Sequence, residues 1–238
     1  VFERHAALVR DCAATVNAGT CDKPLAFPRQ SPANQEPDMP RNNAKKMSSV
    51  DERVAQPQFE VEYREIQAFG TLRNLPIALA ENARAQSVGT LNQLLADTMT
   101  LRDLYKKHHW QMSGATFYQL HLLLDKHYEE QAALVDVIAE RIMMLGGISI
   151  AMAPDVAEMT RIPRPPKGRE DVPSQLSRLL RGHETILQQA REAAEAAADS
   201  GDDGTNDMVV SSIIRTHESQ VWFIAEHLAE TTLTRAND

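Results

Sequence analysis

Between about residue 80 and residue 231, apolar positions recur at three- and four-residue spacing in four long stretches. The first carries Val88, Leu91, Leu94, Leu95, Met99, Leu101, Leu104 and Tyr105. It predicts an amphipathic helix from about Ala80 to Ser113–Gly114. In the second, with Thr116 placed to cap it, Phe117, Leu120, Leu124, Tyr128, Ala132, Val135, Ile138, Ile142 and Leu145 keep the helical period as far as Gly146–Gly147. That glycine pair is a stop signal. The third stretch runs from about Ser174 to Asp199, and Gly201-Asp202-Asp203-Gly204 breaks the chain after it. The fourth runs from about Thr205 to Thr231. Residues 148–173 form a long connection with five prolines, in which a short helix is predicted within Ala153–Met159. The pattern is that of an all-α, four-helix bundle. Its second and third helices run parallel, because a long link replaces the short turn of an up-down bundle.

Upstream of the bundle the periodicity fails. Residues 1–20 read weakly as a helix, and residues 21–62 hold six prolines among many Asn, Gln and Ser. They are read as an extended tail. The domain division expected is 1–70, a largely irregular extension, and 71–238, the bundle. The sequence begins at Val1, and Met39 and Met47 are candidate starts. No intact signal peptide is read, and no apolar run reaches the roughly eighteen residues that a membrane span needs.

Charge narrows the function. Twenty-five basic against thirty-three acidic side chains leave a formal net charge of -8. That opposes a bundle body which is itself a broad nucleic-acid-binding surface. The tail carries one small basic cluster, Arg41, Lys45 and Lys46, suited to a weak, salt-sensitive phosphate contact. Two cysteines, Cys12 and Cys21, exclude a disulfide-dense scaffold and a four-cysteine zinc site. They can pair with each other, pair between subunits, or stay free.

Four polar residues on the second helix do not belong to a core. At about 100° per residue, Asp125, Asp136 and Glu140 lie about 40°, 60° and 100° from His121, on one side of the helix. Asp125 and Asp136 are nevertheless about 16 Å apart along the axis at roughly 1.5 Å per residue, too far for one metal ion. The pairs Asp125/Asp136 and His121/Glu140 share a midpoint, between Glu130 and Gln131. If this helix packs antiparallel on its own copy, Asp125 of one chain meets Asp136 of the other and His121 meets Glu140. Two identical inter-subunit sites then form. His109, across the turn, can add a second imidazole. Imidazole with carboxylate suits iron, manganese or zinc, and redox chemistry selects iron. Carboxylates four apart are also ordinary on solvated helix faces. No histidine has Glu three residues before it, so a site complete within one subunit is not expected.

The run from His109-Trp110 through Gly114 and Phe117 to His121 and Asp125 resembles the Dps mini-ferritins, the DNA-binding proteins from starved cells. The resemblance continues through Asp136, Glu140 and Arg141 to Gly146–Gly147. It resumes at Gly201–Met208 and at Trp222 onward, covering roughly residues 75–232. It implies a ferritin-like fold assembled as a hollow homododecamer from two-fold dimers. It implies ferroxidase centres with His109, His121 and Asp125 from one subunit and Asp136 and Glu140 from its neighbour. The implied activity is oxidation of Fe(II), preferably by hydrogen peroxide but also by dioxygen, with storage of the ferric mineral. Zinc or manganese can occupy the same ligands. The alternative implied role is a nucleoid protein that binds and compacts DNA without sequence preference. By the same resemblance, Asp203 and Asp207 line a three-fold pore, and Glu192 and Glu195 face the inner surface. Trp110 packs at the dimer interface or donates an electron, and His108 has a surface or supporting role. A cytoplasmic location is implied, on the nucleoid under the alternative role. The chain departs from the family in its roughly seventy-residue extension of mixed charge.

Overall fold

The computed structural model of the chain describes residues 57, 59 and 61–229. The weak helix at 1–20, most of the 21–62 tail, Arg41, Lys45, Lys46, Cys12 and Cys21 lie outside the described residues. So does the chain beyond 229.

The first predicted helix is α1, Glu81–Gln111. Its stripe of Leu91, Leu94, Leu95, Leu101 and Tyr105 is wholly buried. After a turn at Gly114 (φ +93°), α2 spans Phe117–Met144. Thr116 stands at the start of α2, but its side chain makes no capping hydrogen bond, contrary to the expectation. Its backbone carbonyl instead accepts from Leu120 N at 3.1 Å. The helix ends where the glycine pair requires it. Gly146 has φ +86°, and a Cβ there would lie 2.5 Å from the Arg73 carbonyl oxygen. A Cβ on Gly147 would lie 2.6 Å from Val88 Cγ1. The crossover carries α3, Ala153–Met159, and reaches α4, Val172–Asp199. The Asp171 side chain caps α4 by accepting from Ser174 N at 2.8 Å.

Contacts fix the helix directions. His109 meets His121 while Arg84 meets Leu145, so α1 and α2 are antiparallel. Tyr105 meets His183 while Asp97 meets Gln189, so α1 and α4 are antiparallel as well. Hence α2 and α4 run parallel, as the long link predicts. Two buried polar residues of α1 hold that link. Asn92 donates to Ile148 O and accepts from Ile150 N, each at 3.0 Å. Asp97 accepts from Thr160 Oγ1 at 2.8 Å and from Arg161 N at 2.6 Å.

The fourth helix is not the single regular helix expected. It is α5, Asp203–Met208, then a π-helical stretch Val209–Ile214, then α6, Arg215–Glu226. The wider turns absorb extra residues without breaking the rod. Val209, Ile213, His217, Gln220 and Ile224 thereby all face the core.

The core of this bundle is partly polar. Gln220 Nε2 donates to Glu130 Oε2 at 2.7 Å, which orients the Gln220 amide because a carboxylate only accepts. Gln131 Nε2 donates to Gln220 Oε1 at 2.9 Å and also faces His217 Nε2 at 3.3 Å. That nitrogen of His217 is therefore the acceptor, and its proton sits on Nδ1. It is donated to His183 Nδ1 at 2.8 Å. His183 is then protonated on Nε2 and donates to the Tyr105 hydroxyl at 2.5 Å. One half-buried carboxylate thus sets the tautomers of two buried histidines. Burial holds both imidazoles neutral, pushing His217 down to about 3 and His183 well below its ordinary value.

Candidate metal centre

His109, at the end of α1, and His121, in the second turn of α2, face each other across the Met112–Thr116 turn. Their rings stack with centroids 3.7 Å apart and planes 20° apart. His109 Nδ1 lies 2.8 Å from the His121 carbonyl oxygen, and His121 Nδ1 lies 3.0 Å from the His109 carbonyl oxygen. A carbonyl oxygen only accepts, so both Nδ1 atoms donate. In the neutral rings both Nε2 atoms then carry free lone pairs. Metal-binding imidazoles commonly have this arrangement, in which the second nitrogen is anchored and orients the ring. Phe117 stacks on the outer face of His121 with centroids 5.0 Å apart.

Asp125, one turn beyond His121, supplies a carboxylate at the same end of the helix pair. Its Oδ1 is 3.9 Å from His109 Nδ1. Lys106, one turn before His109, forms a close ion pair with Asp125, and its ammonium lies 4.2 Å from the centre of the Tyr128 ring. The Lys106 hydrogen bond outweighs the opposing effect of burial and, with its ammonium charge, holds the Asp125 carboxyl below its ordinary range. This carboxyl is ionised throughout the neutral range. A cation binding Asp125 has to compete with the Lys106 ammonium. Periodicity alone did not reveal Lys106. Its spacing of three before His109 was the available signal, since that spacing places both on one face of α1.

Asp136 and Glu140 lie farther along α2 and are exposed. Among the described residues neither makes a hydrogen bond or an ion pair within the subunit. The described residues hold no group of three or more His, Cys, Asp or Glu side chains arranged around one metal position in a single subunit. His109 and His121 are stacked on each other and Asp125 Oδ1 lies 3.9 Å from His109 Nδ1 without the three forming such a group, and Asp136 and Glu140 are not brought to them. Trp110 is 70% exposed, and Leu122 and Val137 are also exposed on this side.

One other expectation changes. His108 has neither a surface nor a supporting role. It is fully buried, about 100° around α1 from His109, both ring nitrogens lack partners among the described residues, and burial lowers it to about 4. In the acidic run, Asp202 is buried and structural. It accepts from Ser87 Oγ and Thr205 Oγ1 at 2.6 Å each and pairs with Arg141 at 2.5 Å. Asp203 and Asp207 are exposed, and Asp207 accepts from Ser211 Oγ at 2.9 Å.

The chain is similar to known proteins. The family described as "ferritin-like domain" matches residues 88–234. The chain is 53% identical over 149 residues to an uncharacterized protein of Kitasatospora aureofaciens, an alignment covering 63% of this chain and 99% of that one. It is 31% identical over 169 residues to the nutrient stress-induced DNA-binding protein of Nostoc sp., covering 71% of this chain and 91% of that one. Among solved structures it is similar to DpsC from Streptomyces coelicolor, with 55% identity and a TM-score of 0.71. That match covers 72% of this chain and 100% of the other.

Proposed function

The chain belongs to the ferritin-like domain family and, within it, to the Dps mini-ferritins, and on that premise we propose that it is a ferroxidase whose substrate Fe(II) binds between two subunits. The observation that carries this reading is the reciprocal anchoring of His109 and His121. It leaves the Nε2 lone pair of each neutral ring unshared, with the ionised Asp125 carboxylate 3.9 Å from the anchored Nδ1 of His109. Those three groups make half a site. A second copy of α2, packed antiparallel, would bring its Asp136 and Glu140 to complete it.

The reaction balances with hydrogen peroxide as oxidant. Two Fe(II) give one electron each, the O–O bond breaks, and two protons convert the oxygens to two waters. The carboxylates neutralise the cation and favour the ferric product, while the fixed imidazoles limit reorganisation as the charge rises. Hydrolysis of Fe(III) then yields a mineral, for which a closed twelve-subunit shell would be the container. Exposed Asp203 and Asp207 would concentrate cations at a pore between three subunits.

A second reading is a DNA-binding, compacting protein with little oxidase activity. The name of the Nostoc relative, a nutrient stress-induced DNA-binding protein, favours it. Stopped-flow absorbance of ferric product after mixing with Fe(II) and peroxide separates the two. Fast oxidation that disappears in the Asp136→Ala/Glu140→Ala chain, with particle size unchanged, is the expected result. Equal rates in both proteins would refute the site.

A further inference from the structure

The crossover segment between Arg161 and Arg169 carries four cations, Arg161, Arg164, Lys167 and Arg169, and no carboxylate. All four side chains are exposed. None of them makes an ion pair among the described residues. The body of the protein is otherwise acidic, so this strap is a local reversal of charge.

Its conformation is held at both ends. At the start, buried Asp97 accepts from Thr160 Oγ1 and Arg161 N, and Ile162 is sunk into the core. Gln93 and Gln189 also donate to Asp97, at 3.0 and 2.9 Å, so its charge is spent on holding this end. At the far end Glu170 is gripped by Arg178, with both carboxylate oxygens 2.8 Å from Nε. The neighbouring Asp171 is engaged as the helix cap. Neither flanking acid is free to pair with the four cations. Between the anchors, Pro163, Pro165 and Pro166 fix φ near -65° and stiffen the backbone. Arg161 and Arg164 also border a groove of about 740 Å³ against α1, whose opposite wall carries Lys107 and the Arg102–Asp103 ion pair. A pre-organised cationic strap loses little conformational entropy on binding.

We propose that the Arg161–Arg169 strap is a docking surface for the phosphate backbone of double-stranded DNA. Contacts from these side chains to phosphates carry no sequence information, so the binding is independent of sequence. The inference rests on the DNA-binding reading above and gives it a site in the bundle domain, separate from the Arg41/Lys45/Lys46 cluster.

The test is fluorescence anisotropy of the full chain with a labelled duplex of mixed sequence, from about 50 to about 200 mM salt. Each cation-phosphate contact contributes about 0.9 to the slope of log affinity against log salt, about a 3.5-fold loss across that fourfold range. The variant R161Q/R164Q/K167Q/R169Q should show a shallower slope by about 0.9 for each contact removed. The charge-preserving control, R161K/R164K/R169K, should retain the slope. Should the fourfold Gln variant change particle size, R164Q/K167Q alone, away from both anchors, still predicts a shallower slope. An unchanged slope in a correctly sized loop variant overturns the inference. If R41Q/K45Q/K46Q then abolishes binding, the DNA reading survives with the contact in the tail. An intact chain that binds no duplex at about 50 mM salt overturns both.

Discussion

His109 and His121 anchor each other: the Nδ1 of each ring donates to the backbone carbonyl of the other, at 2.8 and 3.0 Å. Removing one side chain therefore removes a ligand and releases the remaining ring. His121→Ala should slow Fe(II) oxidation by more than the roughly tenfold lower limit expected for loss of an orienting partner alone. Initial rates by stopped flow, with circular dichroism to confirm the helices, check this. A loss of less than about tenfold would remove His121 from the site.

Lys106 competes for the carboxylate that the substrate needs. Lys106→Met should tighten Zn(II) or Fe(II) binding at the site, read by isothermal titration with the intact assembly. It should also let the Asp125 carboxyl rise toward its ordinary range, because the Lys106 hydrogen bond is the largest effect holding it down. The acid limb of metal binding then moves to higher pH. Weaker binding at neutral pH would show that Lys106 supports the site and does not oppose it.

Asp202 holds the α4–α5 corner. Burial pushes its carboxyl up, but bonds from Ser87, Thr205 and Arg141 outweigh this and keep it below the ordinary value. The folded value lies below the unfolded one. The stabilisation is therefore present above the unfolded pKa and lost as pH falls through the folded one. Asp202→Ala leaves Arg141 without its buried partner and should cost about 3–5 kcal/mol in urea unfolding at neutral pH. A cost below about 1 kcal/mol would be that of a surface pair.

The core histidines make the fold acid-sensitive. His217 falls from 6.5 to about 3 and His127 from 6.5 to about 4, both chiefly through burial. Below pH 6.5 the unfolded chain binds protons that the folded core refuses, so stability declines from there toward the folded values. Each such histidine adds a slope of about 1.4 kcal/mol per pH unit. His217→Gln should flatten the decline by about one such increment, measured by denaturant titration from about pH 7 to about pH 4.5. An identical decline in the variant would mean that His217 is protonated in the folded protein.

Much of this protein is legible in one dimension. Helical period, the glycine pair 146–147 and the proline-rich link determine four helices and their parallel middle pair, because burying an apolar stripe is a local pattern with a fixed repeat. The positions of His109, His121 and Asp125 follow from the same repeat and one short turn. What the linear pattern does not hold is anything that depends on which neighbour arrives across the core. His108 and His109 are adjacent, yet one is buried and the other points to the candidate site, since successive helix residues diverge by about 100°. Asp202 and Asp203 differ in the same way, one paired with Arg141 and one exposed. The tautomers of His183 and His217 depend on Glu130, more than fifty residues away in sequence. The charge reversal on the Arg161–Arg169 strap becomes a surface only because Asp97 and Arg178 pin its ends. Tertiary structure decided these points because hydrogen bonds and ion pairs act over a few ångströms of space, whatever the separation along the chain.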